Sequence, residues 1–388
     1  MQGKTSVILS ALGGDNMNPF SISSRSRENF CNRVKEIATL QEYMRSGIHA
    51  VVYAPRRFGK SSLAGMVQSG LTDMDNIYVE LFSVTSLDEV AKLLYYEIAN
   101  VLGKDAARTP ALLKSLSEFF GRVRLSLSFS AADGSGKIDV SLGDAAPDIC
   151  LKEVISSLDA YCKKNGRRVC LVLDEFQEIC GLKESKQIEA FLREGMQRAE
   201  MVSFIFMGSR RTILKDMFEN RKRPFYKSAI KFELARIPYN DFAEFIAARF
   251  LSAGRPIEPT IANDIVSYTQ GYAYYTQKLA MLHFDLMENG TADLTASKAE
   301  LISSEASDFE NIFVNLAANQ KKVLKALARK PTASIYATGY LRENHLGAAS
   351  SVKTAVEKLR ALDLIENRDG LWSTVDPLLE KWVRIHSI

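Results

Sequence analysis

Val51-Val52-Tyr53-Ala54-Pro55-Arg56-Arg57-Phe58-Gly59-Lys60-Ser61-Ser62-Leu63 decides how this chain of 388 residues folds. An apolar, β-favouring run enters a turn, and a helical spacing of apolar residues (Leu63, Met66, Val67) leaves it. Aligned on G-x-x-x-x-G-K-[ST], the stretch matches at Gly59, Lys60 and Ser61, with Ala54 where the first glycine belongs. The residue types suit a phosphate site. Backbone N–H groups of the loop and of the helix N-terminus point at phosphate oxygens, Lys60 reaches the β/γ oxygens, and the Ser61 hydroxyl can ligate Mg²⁺. Gly59 leaves the backbone free to approach the ligand. Residues Ala54, Pro55, Arg56, Arg57, Phe58, Gly59, Lys60, Ser61 and Ser62 are therefore expected around a bound ATP. A lysine-bearing strand-to-helix turn without a ligand is the bland alternative, and the strand–loop–helix context argues against it.

The second landmark is Val169-Cys170-Leu171-Val172-Leu173-Asp174-Glu175-Phe176-Gln177-Glu178. An apolar run closed by two acids describes a buried parallel strand whose C-terminal end opens at a ligand face. Asp174 is expected to hold Mg²⁺, with Ser61, and Glu175 to polarise the attacking water. A third strand signal, Val202-Ser203-Phe204-Ile205-Phe206-Met207, ends in Gly208-Ser209. Ser209 is expected beside the other strand ends, where it senses the γ-phosphate. Between 210 and 231 eight bases outnumber Asp216 and Glu219. Arg223 is chosen from them as an arginine finger for transition-state charge; a solvated basic loop is the alternative.

Apolar content of 46% with 25% charged residues describes a globular chain with ample core, and the net charge of +4 is too mild to argue for nucleic acid. Cys31, Cys150, Cys162, Cys170 and Cys180 form no C-x-x-C pair and have no histidine at metal spacing. Such thiols suit a reducing, cytoplasmic setting. No apolar run approaches the ~18 residues of a membrane span, and no signal peptide is evident. Residues 1–17 are expected to be a flexible extension, its Gly3-Lys4-Thr5 lacking the strand a phosphate loop requires.

Around these landmarks the spacing predicts an amphipathic helix at Ile37, Leu40, Tyr43 and Met44, which either covers an adenine or simply packs. Ile77-Tyr78-Val79-Glu80-Leu81 reads as a strand, and period-two alternation at 124–130 and 138–142 reads as a β-hairpin inserted at about 122–143. From 237 to 305 three apolar helical faces follow one another. From 306 to 388 the pattern is three helices and a Gly-containing hairpin, a winged helix-turn-helix. Residues 316–388 hold 12 Lys and Arg against 7 Asp and Glu, a local +5 that favours duplex DNA, with Ser350, Ser351, Lys353 and Thr354 on the recognition helix. Winged helices also dock proteins, and Glu357 and Glu366 dilute the patch.

The chain resembles the archaeal-type ATPases, P-loop proteins allied to the STAND and AAA+ ATPases. The resemblance rests on Asn18-Pro19-Phe20, on Phe30 with Asn32-Arg33 and Glu36, on Pro55-Arg56-Arg57 with Gly59-Lys60-Ser61, and on Leu173-Asp174-Glu175-Phe176-Gln177. Gly208-Ser209, Pro224-Phe225-Tyr226, Gly271-Tyr272 with Tyr275 and Gln277, and Asp376-Pro377 continue it in order. It departs at Ala54 and at Ala273, where the STAND pattern has a proline. The resemblance implies an α/β P-loop core over 18–236 with a parallel sheet, a helical lid and a winged helix. It adds Asn18, Phe20 and Arg33 to the nucleotide site and implies a slow ATPase switch, with an oligomer as one of its forms. Its partner through 306–388 is either DNA or a protein. A replication-initiator-like or transposition-associated DNA-loading ATPase, and a nucleotide-stabilised scaffold without turnover, are the competing readings.

Overall fold

The computed structural model describes residues 17–22, 30–106, 124–129, 136–141, 147–288 and 293–386, and within 104–146 the backbone alone. Residues 1–16 of the expected extension, and the turn at 130–135 of the expected hairpin, lie outside the described residues.

In the core, helix α1 (Val34–Arg45) precedes strand β1 (Ala50–Tyr53), which is buried throughout. The phosphate-loop stretch then turns into α2 (Lys60–Ser69), followed by β2 (Asp75–Glu80) and α3 (Leu87–Ala106). The hairpin is present as β3 (Arg124–Phe129) and β4 (Gly136–Ser141), antiparallel with Leu127 opposite Ile138. Next come α4 (Pro147–Asn165), β5 (Val169–Asp174), a 3-10 turn (Phe176–Gly181), α5 (Ser185–Arg198), β6 (Val202–Gly208), α6 (Arg211–Glu219) and β7 (Ile230–Glu233).

Strands β2, β5, β6, β1 and β7 lie in that order, all parallel. Strand β6 thus separates the strand that feeds the phosphate loop from the strand that ends in the acids. The register brings their C-terminal ends level: Tyr53 pairs with Gly208, and Glu80 with Asp174. Alternate side chains serve opposite faces. Val52, Val172, Ile205 and Met207 join one core with α1 and α2, whereas Val51, Leu171, Phe204 and Phe206 join the other with α3 to α6. Burial on both faces explains the apolar runs of β1, β5 and β6, broken only by the buried Ser203, whose hydroxyl donates to the Met44 carbonyl. Strand β7 escaped the sequence reading because, at the sheet edge with mostly exposed side chains, it carries no such run.

Beyond the core, α7 (Tyr239–Ser252), α8 (Pro259–Tyr268) and α9 (Ala273–Glu288) form the lid. Helix α10 (Leu294–Val314) starts at Asp293, whose carboxylate accepts from the Thr295 N–H. It runs without a break through 305–306, where the sequence reading set a boundary. Helices α11 (Ala318–Arg329), α12 (Thr338–Glu343) and α13 (Ala349–Ala361) lead to the wing, β8 (Ile365–Arg368) and β9 (Leu371–Thr374). Asp369 and Gly370 turn the wing with φ of 52° and 85°, the left-handed pair that a two-residue hairpin requires. A further helix, α14 (Pro377–Ile385), follows with Pro377 at its first position and Asp376 as its cap. The apolar core that holds Val52 and Leu63 continues through Phe250 and Phe309 to Val352 and Trp382. No helix among the described residues is long and apolar enough to cross a membrane.

Candidate nucleotide site

Between β1 and α2 the backbone turns with Arg57 at φ 66° and Gly59 at φ 87°. At Gly59 an added Cβ would sit 3.5 Å from the Ala273 side chain, so the first residue of lid helix α9 rests on the loop. Lys60 is buried, and its Nζ donates to the carbonyls of Ala54 at 3.1 Å and Pro55 at 3.0 Å. Burial lowers its pKa, opposed by the charges of Glu175 and Asp174.

The acids meet the loop across the sheet. Ser61 Oγ donates to Asp174 Oδ2 at 2.8 Å, and the hydroxyl of Tyr78 on β2 donates to the same oxygen. Asp174 Oδ1 accepts from the Glu175 N–H at 2.8 Å. The Ser61–Asp174 pair offers hard oxygen donors side by side, which fits Mg²⁺ bound by one carboxylate, a hydroxyl and substrate phosphates. Glu175 stands at φ 50° and accepts from Ser209 Oγ at 2.9 Å and from Gln177 Nε2. Burial pushes its carboxyl upward. Hydrogen bonds from Gln177 and Ser209, with the charges of Lys60 and Arg56, outweigh burial and hold it below the ordinary carboxylate value.

These groups open into a cavity of about 340 Å³. Arg56 to Ser62, Glu80 and Glu175 supply most of its polar lining, and Phe30, Cys31, Ile237, Phe242 and Ala273 much of its apolar lining. Burial and the Asp241 charge push the Cys31 thiol up to about 12, so that wall stays neutral. A volume of this size, lined by both charged and apolar side chains, suits a nucleotide.

Most of the expected residues converge here. Gly59, Lys60, Ser61, Ser62, Phe58, Arg56, Arg57 and Arg33 line the cavity, Asp174 backs Ser61, and Ser209 backs Glu175. Ala54 and Pro55 contribute carbonyls to Lys60. Three expectations need correction, at Asn18, Phe20 and Arg223, and one, at Arg57, needs a second role added. Asn18 donates to Met281 O at 3.0 Å and Asp285 at 2.7 Å on α9, and Phe20 packs on Phe250 with ring centroids 4.9 Å apart. Neither lines the cavity; a buried aromatic found an apolar partner on the lid instead. Arg57 borders the cavity, but its guanidinium turns to Glu305 at 2.7 Å and Asp308 at 2.9 Å on α10. Arg223 lies 2.6 Å from Glu189, a fully buried carboxylate that needs a cation, and takes no place in its own chain's cavity. Sequence reasoning missed Tyr78, Glu80 and Phe82. Their signal was present in the strand run at 77–81: Glu80 falls level with Asp174, with Tyr78 two residues before it and Phe82 two after.

A sequence profile described as an ATPase domain found predominantly in Archaea matches residues 30–279. The chain belongs to that family. A second profile, a probable winged helix domain, matches this ATPase-family chain over residues 307–385. A Walker-type ATPase of Pyrococcus abyssi superposes with a TM-score of 0.70 at 16% identity, covering 93% of this chain and 98% of its own. The Aeropyrum pernix ORC2 protein, in ADPNP–ADP complexes, gives a TM-score of 0.58 at 14% identity, covering 92% and 96%. Identities this low establish a shared fold: P-loop core, lid and winged helix. Nothing among curated protein sequences matches.

Proposed function

We propose that this ATPase-family chain binds ATP with Mg²⁺, hydrolyses it slowly, and uses its nucleotide state to set the position of a winged helix that contacts duplex DNA. The observation that carries the reading is the pair of arginines leaving the site. Arg57, inside the phosphate loop, reaches Glu305 and Asp308 on α10 and lies 3.9 Å from Asp376 at the cap of α14. Arg211, two residues after Ser209, pairs with Asp363 at 3.1 Å and Glu366 at 2.8 Å beside the wing. Loop and sensing strand each grip the C-terminal half, so a shift of either on ATP binding is felt there.

Bound Mg²⁺ would neutralise charge on the β- and γ-phosphates, held by Ser61 and Asp174. Lys60 exchanges its two carbonyl partners for phosphate oxygens, and Glu175, already deprotonated, accepts a proton from water. On α13, Ser350, Lys353 and Thr354 are exposed, as a groove-reading helix needs. The thiols of all five cysteines are free, which suits a reducing compartment.

Turnover of the full chain tests hydrolysis. Duplex DNA titrations with ADP and with a non-hydrolysable ATP analogue test the coupling. Equal DNA affinity in both states removes the switch. No DNA binding near 50 mM salt, where non-specific phosphate contacts register, leaves a protein as the winged helix's partner.

A further inference from the structure

Phosphoryl transfer from ATP builds charge on the γ-phosphoryl and bridging oxygens, and P-loop enzymes meet it with an arginine as well as the loop lysine. Arg223 is engaged elsewhere, and most arginines in or near the site already hold a partner. Arg33 donates to Ala235 O at 2.9 Å and lies 3.4 Å from Glu36. Arg57 pairs with Glu305 and Asp308, Arg211 with Asp363 and Glu366, and Arg210 lies 3.9 Å from Glu178. Arg56 differs from them all: among the described residues it forms no ion pair with any acid. It lines the cavity with an exposed side chain, and its Nε donates to Ser209 Oγ at 3.4 Å. That hydroxyl donates onward to Glu175 Oε2 at 2.9 Å. An uncommitted guanidinium therefore stands one hydroxyl away from the carboxylate that takes the water proton.

We infer that Arg56 is an arginine finger carried by the phosphate loop of the same chain, and that this enzyme stabilises its transition state without a second subunit. The inference rests on the ATPase reading above. In the step, the water oxygen bonds to the γ-phosphorus while the bond from that phosphorus to the β,γ-bridging oxygen breaks. The water proton passes to Glu175, and ADP leaves with the electron pair on the bridging oxygen. Arg56 donates to the γ-phosphoryl oxygens as their charge grows, and Ser209, released from Arg56, keeps Glu175 oriented. A plain phosphate anchor behaves differently. It strengthens ground-state and transition-state binding alike and leaves kcat unchanged.

The experiment measures Mg·ADP affinity of the full chain with and without aluminium fluoride, which with ADP mimics the transferring phosphoryl group. Wild type, Arg56→Gln and Arg56→Lys are compared, and ATP turnover is measured for each. Wild type should gain about 100-fold in affinity with fluoride, as transition-state mimics do. Arg56→Gln should gain nothing, keep its Mg·ADP affinity within roughly 3-fold, and lose on the order of 10³ in kcat. Arg56→Lys should recover part of both, and wild-type turnover per chain should not change with protein concentration. An Arg56→Gln chain that keeps the fluoride gain, or that loses Mg·ADP affinity in step with it, overturns the finger while leaving the ATPase reading in place. A wild type with neither turnover nor fluoride gain overturns both.

Discussion

Arg211 and Asp363 face each other across the boundary between the nucleotide core and the winged helix, Nη2 lying 3.1 Å from Oδ1. Glu366 shares the same guanidinium at 2.8 Å, and the Thr212 hydroxyl donates to the Arg360 carbonyl beside them. Position 211 opens the helix that follows Ser209, and position 363 closes the turn after α13. The end of β6 that carries Ser209 and the base of the wing are therefore joined by one cluster of charges.

Arg211→Ala should leave two largely buried carboxylates without their cation and cost about 3–5 kcal/mol in the C-terminal half. Trp372 and Trp382 are the chain's only tryptophans and both lie beyond residue 306, so fluorescence during urea denaturation reads that half. The triple change Arg211→Met, Asp363→Asn, Glu366→Gln should recover most of the loss. A single variant as stable as wild type would show that the pair does not hold the winged helix.

Burial raises the Asp363 pKa to about 6, against the pull of Arg211. The folded value lies above the unfolded one, so the contribution of this group is full below about pH 4 and is lost as pH rises through 6. Asp363→Asn, which imitates the protonated form, should gain on wild type between pH 4.5 and pH 7, by up to about 2 kcal/mol. Urea titrations of both proteins at the two pH values measure it; a constant difference contradicts the shift.

Lys60→Ala should abolish ATP binding by calorimetry and leave the circular dichroism spectrum unchanged. Glu175→Gln should bind ATP as wild type does and hydrolyse it at least ~100-fold more slowly. Equal turnover in the glutamine variant would remove Glu175 as the base, and unchanged affinity in the alanine variant would move the nucleotide elsewhere.

Tyr78→Phe removes the second hydrogen bond to Asp174 Oδ2 and leaves Ser61 in place. Partners one step removed from a metal typically alter affinity 10- to 100-fold, so half-maximal turnover should need about 10-fold more Mg²⁺. ADP affinity measured in EDTA should not move. If the Mg²⁺ requirement stays the same, Tyr78 only packs.

For the winged helix, Lys353→Ala with Arg360→Ala in the full chain should flatten the salt dependence of duplex binding by one to two units of log–log slope, about 0.9 per lost phosphate contact. Arg360 also stacks over the Trp372 ring, 5.7 Å from its centroid, so a thermal melt must accompany the titration. Weak binding that ignores both changes would point to a protein-docking surface.

The core was legible because its strands are buried on both faces: Val51-Val52 and Leu171-Val172-Leu173 leave no doubt about period or direction. Gly59, Lys60 and Ser61 were legible because phosphate chemistry tolerates few alternatives at that spacing. Ile230–Glu233 was not, since an exposed edge strand of four residues has neither an apolar run nor a clean alternation. Long cationic side chains were the least legible. Arg57 finds Asp308 251 residues away, and no local pattern announces such a partner. For the same reason a basic run containing Arg223 gave no hint that the buried Glu189 had claimed it.

Helix α10 belongs to two domains at once. Its 21 residues make a rod of about 30 Å at 1.5 Å per residue, with its first turns against the lid and its last against the winged helix. A rod has no elbow. A tilt of about 5° imposed at the lid end displaces the far end by roughly 2.6 Å, about half the 5.4 Å pitch of a helical turn. If the proposed nucleotide switch operates, this helix is its lever: a small closure at the lid would become a stroke felt across the C-terminal half.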